Sequence, residues 1–247
     1  MNVEKPSLAL LGGSFNPPHI GHFRIALEAA EILKPEALHF VPCSIPPHKP
    51  EAGLLPFSLR VAMLRAGIEG MEDMARPGNA ELADGSAPAC CFAVNEIEHC
   101  RPGPSYTVDT LSALAAEHPD KNLRFIMGSE DYAQFPTWRR WKEITELADI
   151  VVLPRGNRQR DLSFAEITRA LLPEAKVASA LLPGVSGAYR LPHGRRIFFL
   201  HQPYLDISSS LARERFLAGR SLDYLVPPGV VQLLRSNEDE ARRIWTQ

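Results

Sequence analysis

Short apolar runs alternate with amphipathic segments along most of the chain. The apolar runs are four to six residues long, as in buried strands, and lie at 8–11, 37–42, 92–97, 123–127, 150–153 and 197–200. Apolar side chains recur every three or four residues at 23–33, 58–68, 107–117, 138–147, 208–217 and 229–235, which predicts helices there. This alternation is typical of right-handed β-α-β units. It predicts an α/β fold of the Rossmann-like, doubly wound kind, with a mostly parallel sheet and helices on both faces.

The predicted elements form one domain over residues 1–247. Two stretches interrupt the alternation, at 72–89 and at 155–196, and are rich in Ala, Gly and Pro or in polar residues. We interpret them as insertions, because loops this long are uncommon inside a compact domain. Residues 238–243 are expected to be a solvated helix end.

Bulk composition excludes several classes of protein. Hydrophobic residues make up 45% and charged residues 23%, as in ordinary globular domains, and the net charge of −2 argues against a nucleic-acid binder. No segment has the length of a signal peptide or a membrane span, so we expect a cytoplasmic protein without a membrane partner. The cysteines at 43, 90, 91 and 100 lack zinc-ligand spacing. They are interpreted as free thiols, and no metal ligands are assigned.

The segment GGSFNPPHIGH at 12–22 carries the strongest functional signal. It joins the first predicted strand to the first predicted helix, and Gly21 and His22 fall in the first helical turn. Such a turn brings bare backbone and free helix N–H groups close to an anion, and His19 and His22 can donate hydrogen bonds to phosphate oxygens. The pattern matches neither of the two common glycine-rich phosphate loops. Helix capping by the histidines is the simpler alternative.

A second anion-binding segment is predicted near the carboxyl end of the chain. Ser208, Ser209 and Ser210 open a helix that contains Arg213 one turn later. Serines there can cap the helix and leave N–H groups facing a phosphate, while the guanidinium fork suits phosphate oxygens. Taken alone, the serine run would be only a cap. Arg60 could bind phosphate or form a structural ion pair, and it is left out of the site.

Segment 12–22 resembles the His-x-Gly-His signature of the nucleotidyltransferase superfamily, at His19 to His22. Four further segments are similar to one branch, the bacterial nicotinate-mononucleotide adenylyltransferases. They are PPHK at 46–49, PSYTVDTL at 104–111, FPTW at 135–138, and ISSS at 207–210 followed by Arg213. They occur in the family's order between residue 8 and about residue 229.

The resemblance implies transfer of an adenylyl group from ATP to nicotinate mononucleotide, which yields nicotinate adenine dinucleotide and pyrophosphate in NAD biosynthesis. The catalytic residues would be His19, His22 and Arg213. ATP would contact Gly12, Ser14, Phe15, His19, Gly21, His22, Lys49, Ser208, Ser210 and Arg213. The acceptor would contact Ser14, Phe15, Lys49, Tyr106, Thr107, Glu130 and Trp138.

A pyridine ring needs an aromatic face, and its carboxylate needs donors. Trp138, at the predicted start of a helix, would stack on the ring, and Thr107 would offer its hydroxyl and nearby amides to the carboxylate. Core aromatic residues and a helix cap are the simpler interpretation of either segment alone. The family's Gly-x-Asp after the fourth strand is replaced here by GSED at 128–131, so that Glu130 aligns with the acceptor-binding carboxylate unless the turn shifts to Asp131. The basic run at 139–142 is expected to be a solvated helix face with one buried Trp.

Adenylyl transfer needs no strong base, because the attacking phosphate oxygen is already anionic. Mg²⁺ is expected to accompany ATP, held largely by phosphates and water. Three alternatives stay open: the same chemistry on nicotinamide mononucleotide or another phosphorylated acceptor, a non-catalytic nucleotide sensor, and a small scaffold protein. Self-association is also left open.

Overall fold

The computed structural model describes residues 5–47, 53–69, 71, 90–154, 164–178, 182–203 and 205–246. Strands β1 to β8 cover Ser7–Gly13, Ala37–Pro42, Cys91–Val94, Asn122–Gly128, Asp149–Leu153, Lys176–Val177, Val185–Arg190 and Arg196–Leu200. Helices α1 to α9 cover Ile20–Leu33, Phe57–Ile68, Thr107–Glu117, Ser129–Ala133, Trp141–Leu147, Phe164–Leu171, Ser209–Leu217, Pro228–Ser236 and Glu238–Trp245. A 3-10 turn covers Phe135–Thr137.

All described strands join one sheet in the order β3-β2-β1-β4-β5-β8-β7-β6. Neighbours from β3 to β8 pair in parallel, whereas β8-β7 and β7-β6 are antiparallel. The doubly wound, mostly parallel fold is therefore confirmed, and each of the six predicted strands lies in the sheet. The strand order reverses between β1 and β4, and on open α/β sheets ligands bind beyond the carboxyl ends of the strands at such a point.

Side-chain alternation along the central strands builds two cores. Leu8 and Leu10 of β1 pack on the face covered by α3 and α5, whereas Ala9 and Leu11 pack on the face covered by α1. Apolar side chains on both faces are typical of a strand buried between two helical layers. The carboxyl ends of β1, β2 and β4 are level, since Gly13 lies beside Pro42 and Leu11 beside Ile126.

The stretch 155–196 contributes to the sheet. Where the structure describes it, it holds α6, β6 and β7, and it adds the antiparallel strands at one edge. Tyr132 of α4 lies 2.9 Å, oxygen to oxygen, from the hydroxyl of Thr168 in α6, and both residues are buried. Helix α6 therefore helps to hold α4 in place, directly after β4. The stretch 72–89 lies outside the described residues.

The C-terminal helices form a third cluster with α2. Residues 238–243 are helical, with Glu238, Asp239 and Arg243 exposed as predicted, but they belong to the separate helix α9, because the chain turns at Asn237. Ala241 is fully buried in this cluster, and Trp245 packs edge-on against Phe216. This packing fixes α7, whose N-terminus faces the β1 loop. No described helix has the length and apolar character needed to cross a membrane.

Candidate active site

The loop after β1 forms the floor of the candidate site. Phe15 has a left-handed backbone (φ 47°), uncommon for a bulky residue, and its side chain is only 1% exposed. Its ring meets His22 edge-on, with ring centroids 5.0 Å apart, and also contacts Phe40. The buried Phe15 ring therefore supports the His22 ring by direct contact. Because the Phe15 ring is buried, a ligand would contact the backbone of Phe15 rather than its side chain.

The two motif histidines lie together at the start of α1, with ring centroids 3.8 Å apart. The N–H of His19 donates to Nδ1 of His22 at 3.1 Å. This bond makes Nδ1 an acceptor, so a neutral His22 carries its proton on Nε2 and can donate it to a phosphate oxygen. Both histidines are mostly buried, and a Cβ at Gly21 would come within 3.0 Å of the His19 ring. Glycine at 21 is thus what allows this ring to lie against the helix.

The first amides of α1 differ from the sequence expectation. The Ile20 N–H donates to the Leu225 carbonyl at 2.9 Å, the His19 N–H is taken by His22, and the His22 N–H donates to the His19 carbonyl. Free helix amides at this mouth are therefore fewer than predicted. Charge on a phosphate here would be met mainly by side chains.

Helix α7 brings the second predicted anion-binding segment to the β1 loop. Ser208 caps the helix by accepting from the Leu211 N–H, and Ser210 accepts from the Arg213 guanidinium at 3.0 Å. Arg213 also donates to the Asn16 carbonyl at 2.8 Å, and Ser209 donates to the Pro17 carbonyl. Partial burial lowers the pKa of Arg213, so a phosphate near it would meet a partly desolvated cation.

A cleft opens between the start of α1 and the chain that leads into α7. Its lining comprises His19, Gly21, His22, Arg24, Ile25, Pro154, Gln202, Pro203, Leu205 and Ile207. Three predicted residues, His19, Gly21 and His22, thus line this cleft together with Ile207, which directly precedes the predicted Ser208. We name this space the donor cleft.

Sequence reasoning missed two positioning residues. Arg60 is 1% exposed and donates to the carbonyls of Ser14, Cys43 and Leu55, at 2.8, 2.8 and 3.0 Å. It forms no ion pair within the described chain; instead it ties the β1 and β2 loops together, and burial lowers its pKa to about 10. Asn16 bridges the β1 loop to Gly53 and Leu55 through its side-chain amide. Only the position of Asn16 inside segment 12–22 could have signalled its role.

A second candidate region lies on the other face of β1. Gly12 is exposed although it belongs to a central strand, and a Cβ there would meet the Phe125 ring at 3.5 Å. The half-buried Trp138 is met edge-on by Phe125 and Phe135, with centroids 6.1 and 5.6 Å away. Trp138 follows the 3-10 turn and precedes α5, which starts at Trp141, so the predicted helix start at 138 is wrong by three residues.

The predicted Ser-Tyr-Thr segment packs, through Tyr106, against the same core cluster as Trp138. Tyr106 is the N-cap of α3 and Thr107 its first residue. The N–H groups of Asp109 and Thr110 bond back to the Tyr106 carbonyl, which leaves the first amides of the helix for other partners. The Arg139 guanidinium lies over the Tyr106 ring, 4.5 Å from its centroid, and so joins this segment to that of Trp138. We name the space between them the acceptor cleft.

The basic run at 139–142 is not one solvated helix face. Arg139 and Arg140 precede α5, and Arg140 pairs with Glu143 and, at 3.4 Å, with Asp109 of α3. Trp141 is half-buried against Phe135. The run therefore connects α3 to α5.

Of two further residues predicted to bind the acceptor, the structure describes Glu130 but not Lys49. Glu130 lies in the first turn of α4, directly beyond the carboxyl end of β4, with an exposed side chain. Lys49, like His48 and Pro50 beside it, lies outside the described residues, so its role stays a prediction.

Buried polar groups support the loop after β2. Ser105 accepts from the N–H groups of Ser44 and Ile45, and Glu98 accepts from the Thr110 hydroxyl at 2.7 Å. Burial raises the pKa of Glu98, and the hydrogen bond from the Thr110 hydroxyl opposes this effect. Burial, together with the charge of Glu98, raises the pKa of the Cys43 thiol to about 11. Cys43 is thus a protonated, structural thiol at neutral pH. In the described ranges, no three His, Cys, Asp or Glu side chains are placed to share a metal ion.

The chain is similar to known proteins along most of its length. The cytidylyltransferase-like family model matches residues 10–215. A "probable nicotinate-nucleotide adenylyltransferase" of Pelobacter propionicus is 35% identical over 223 residues, 90% of this chain and 93% of that protein. The protein of the same name from Trichlorobacter lovleyi is 39% identical over 225 residues, with the same coverage of both chains. The chain belongs to the nicotinate-nucleotide adenylyltransferase family.

A solved structure extends the comparison to the fold. The nicotinic acid mononucleotide adenylyltransferase of Plasmodium falciparum, complexed with NaAD, superposes with a TM-score of 0.64 at 18% identity. The match covers 94% of this chain and 96% of that one. Nicotinate-nucleotide adenylyltransferases of distant origin thus share the sheet and the helical layers described above.

Proposed function

We propose that this chain joins ATP and nicotinate mononucleotide across the carboxyl end of β1, with the phosphates in the donor cleft and the pyridine in the acceptor cleft. The reaction is adenylyl transfer in NAD biosynthesis, and it yields nicotinate adenine dinucleotide and pyrophosphate. One observation carries the assignment of sites. The loop after β1 and the start of α1 hold His19 and His22, which line the donor cleft, and Gly12 near the end of β1 lies beside the Phe125 ring, which contacts Trp138 of the acceptor cleft. Two substrates bound in these clefts would therefore meet at this loop.

The chemistry required matches the groups present. An anionic phosphate oxygen of the acceptor attacks the α-phosphorus of ATP, and the bond from that phosphorus to the pyrophosphate oxygen breaks. The transition state carries extra charge on phosphoryl oxygens, which fixed donors stabilise. His22 would donate from Nε2, since its Nδ1 is occupied by the His19 N–H, and Arg213 would neutralise the leaving pyrophosphate.

The acceptor would be held by groups from two helices. The pyridine ring would stack on the part of the Trp138 indole that Phe125 and Phe135 leave open. The pyridine carboxylate would accept hydrogen bonds from the first amides of α3, near Thr107. Mg²⁺ bound with ATP would supply positive charge to the phosphates. Because the donors around the donor cleft are cations and neutral hydrogen-bonding groups, the phosphates and water would hold that ion.

The experiment is release of pyrophosphate from ATP and Mg²⁺ by the full chain, with nicotinate mononucleotide and nicotinamide mononucleotide assayed side by side. We expect release with the acid and slow release with the amide. Equal or faster use of the amide would overturn the assignment of acceptor. No release with either, while calorimetry shows that ATP binds, would indicate a nucleotide sensor instead.

A further inference from the structure

Arg139 is an exposed cation that the described chain leaves unpaired. Its guanidinium lies over the Tyr106 ring, and it makes no hydrogen bond or ion pair with any other described residue. The next residue, Arg140, is also exposed but bonds to Glu143 at 2.8 Å and lies 3.4 Å from Asp109. Of two adjacent arginines, one is thus neutralised and the other keeps all its N–H donors.

The position of Arg139 ties this free charge to the acceptor cleft. It directly follows Trp138, and its ring partner Tyr106 is the N-cap of the helix that Thr107 opens. The aromatic ring restrains the guanidinium at low cost, because a cation is attracted to the ring face and its N–H groups remain available at the edge. Asp109 of α3 pairs with Arg140 rather than with Arg139.

We infer that Arg139 determines the preference of the acceptor cleft for a pyridine carboxylate over a pyridine carboxamide. This inference rests on the proposed function, because it requires the pyridine to occupy the acceptor cleft. A nicotinate carboxylate beside the helix start would meet both the positive end of α3 and a guanidinium held by Tyr106. A neutral amide would gain little from either charge. Arg139 is therefore a specificity residue, distinct from the groups that serve adenylyl transfer.

The test is steady-state kinetics of Arg139→Gln with the acid and the amide, and Arg140→Gln is the matched control. Both variants remove one exposed positive charge from adjacent positions. For Arg139→Gln we expect kcat/KM for nicotinate mononucleotide to fall about tenfold and that for the amide to change by less than about twofold, as for the loss of one charge-assisted contact at a partly solvated site. Arg140→Gln should leave the ratio of the two kcat/KM values at its wild-type level.

The ratio of the two acceptors distinguishes this role from a structural one. A loose or misfolded acceptor cleft would lower the use of both acceptors together, which would overturn the inference. An unchanged ratio in Arg139→Gln, or an equal change in Arg140→Gln, would also overturn it. Failure of the proposed function has a separate signature in the wild-type chain, which would then turn over neither acceptor or would use the amide at least as well as the acid.

Discussion

His22 combines two roles in the structure that a pair of substitutions can separate. Its Nδ1 accepts the His19 N–H at 3.1 Å and so helps to cap α1, while its Nε2 is the proposed donor to the transferring phosphoryl group. His22→Ala removes both functions. His22→Asn places a side-chain oxygen near the position of Nδ1, and so keeps the cap but lacks the Nε2 donor.

The two variants should differ in stability and agree in activity. The cap bond contributes about 1 kcal/mol. Loss of ring packing on Phe15 and His19 costs roughly 1 kcal/mol more in the alanine variant. For a domain of this size, the alanine variant should therefore melt about 4–8 °C below the wild type and the asparagine variant about half as far below it. Loss of one transition-state donor should lower kcat by about 10²–10³-fold in both variants.

Pyrophosphate release at saturating ATP measures kcat, and circular dichroism melting measures the stability of the same samples. Assays are run well below the melting temperature of the alanine variant, so that both variants are folded. The reasoning would be refuted by an asparagine variant that keeps turnover within about threefold of the wild type, because the histidine would then act only as a helix cap.

Three further outcomes follow from the geometry. Arg60→Met should destabilise the fold by about 3–5 kcal/mol in denaturant titration, because three carbonyls lose a charged donor; a loss below about 1 kcal/mol would show that water replaces the guanidinium. Trp138→Ala should raise the KM for the acceptor about tenfold or more with little change in the KM for ATP, and an unchanged acceptor KM would contradict stacking. With a pKa of about 11, only about one thousandth of Cys43 is thiolate at pH 8, so iodoacetamide should label the exposed Cys91 and Cys100 first, as read by peptide mass spectrometry. The thiolate fraction of Cys43 rises with pH, so its labelling should accelerate as the pH approaches 11, and fast labelling at pH 8 would contradict its raised pKa.

The strands of the sheet can be predicted from the sequence because the central strands are buried on both faces. In β1, one face carries Leu8 and Leu10 and the opposite face carries Ala9 and Leu11. Because both faces are buried, all four positions are apolar, and the sequence shows a short continuous apolar run. Strand β7 (VSGAYR) mixes buried and exposed positions, lies next to the short edge strand β6 and contains a glycine, so it lacks such a run. The stretch 155–196 was interpreted as an insertion for that reason.

The candidate site was predictable where chemistry and local sequence coincide, as at His19, His22 and Arg213. It was not predictable where a side chain acts across a long sequence separation. Arg60 donates to Ser14, 46 residues away, and it does so through a backbone carbonyl that every residue has. Arg139 differs from Arg140 only in which residues it meets in three dimensions, and a run of basic residues does not encode that difference.

The hydrogen bond from Ile20 to the Leu225 carbonyl has a consequence for biosynthesis. The amide and its partner are more than 200 residues apart in sequence, so the ribosome must synthesise all the residues between them before the two can meet. A nascent or truncated chain that ends before residue 225 contains the complete histidine motif, but it lacks the Leu225 carbonyl that accepts from the first amide of α1. Competence to bind nucleotide should therefore appear late in translation, and fragments released early should not sequester ATP.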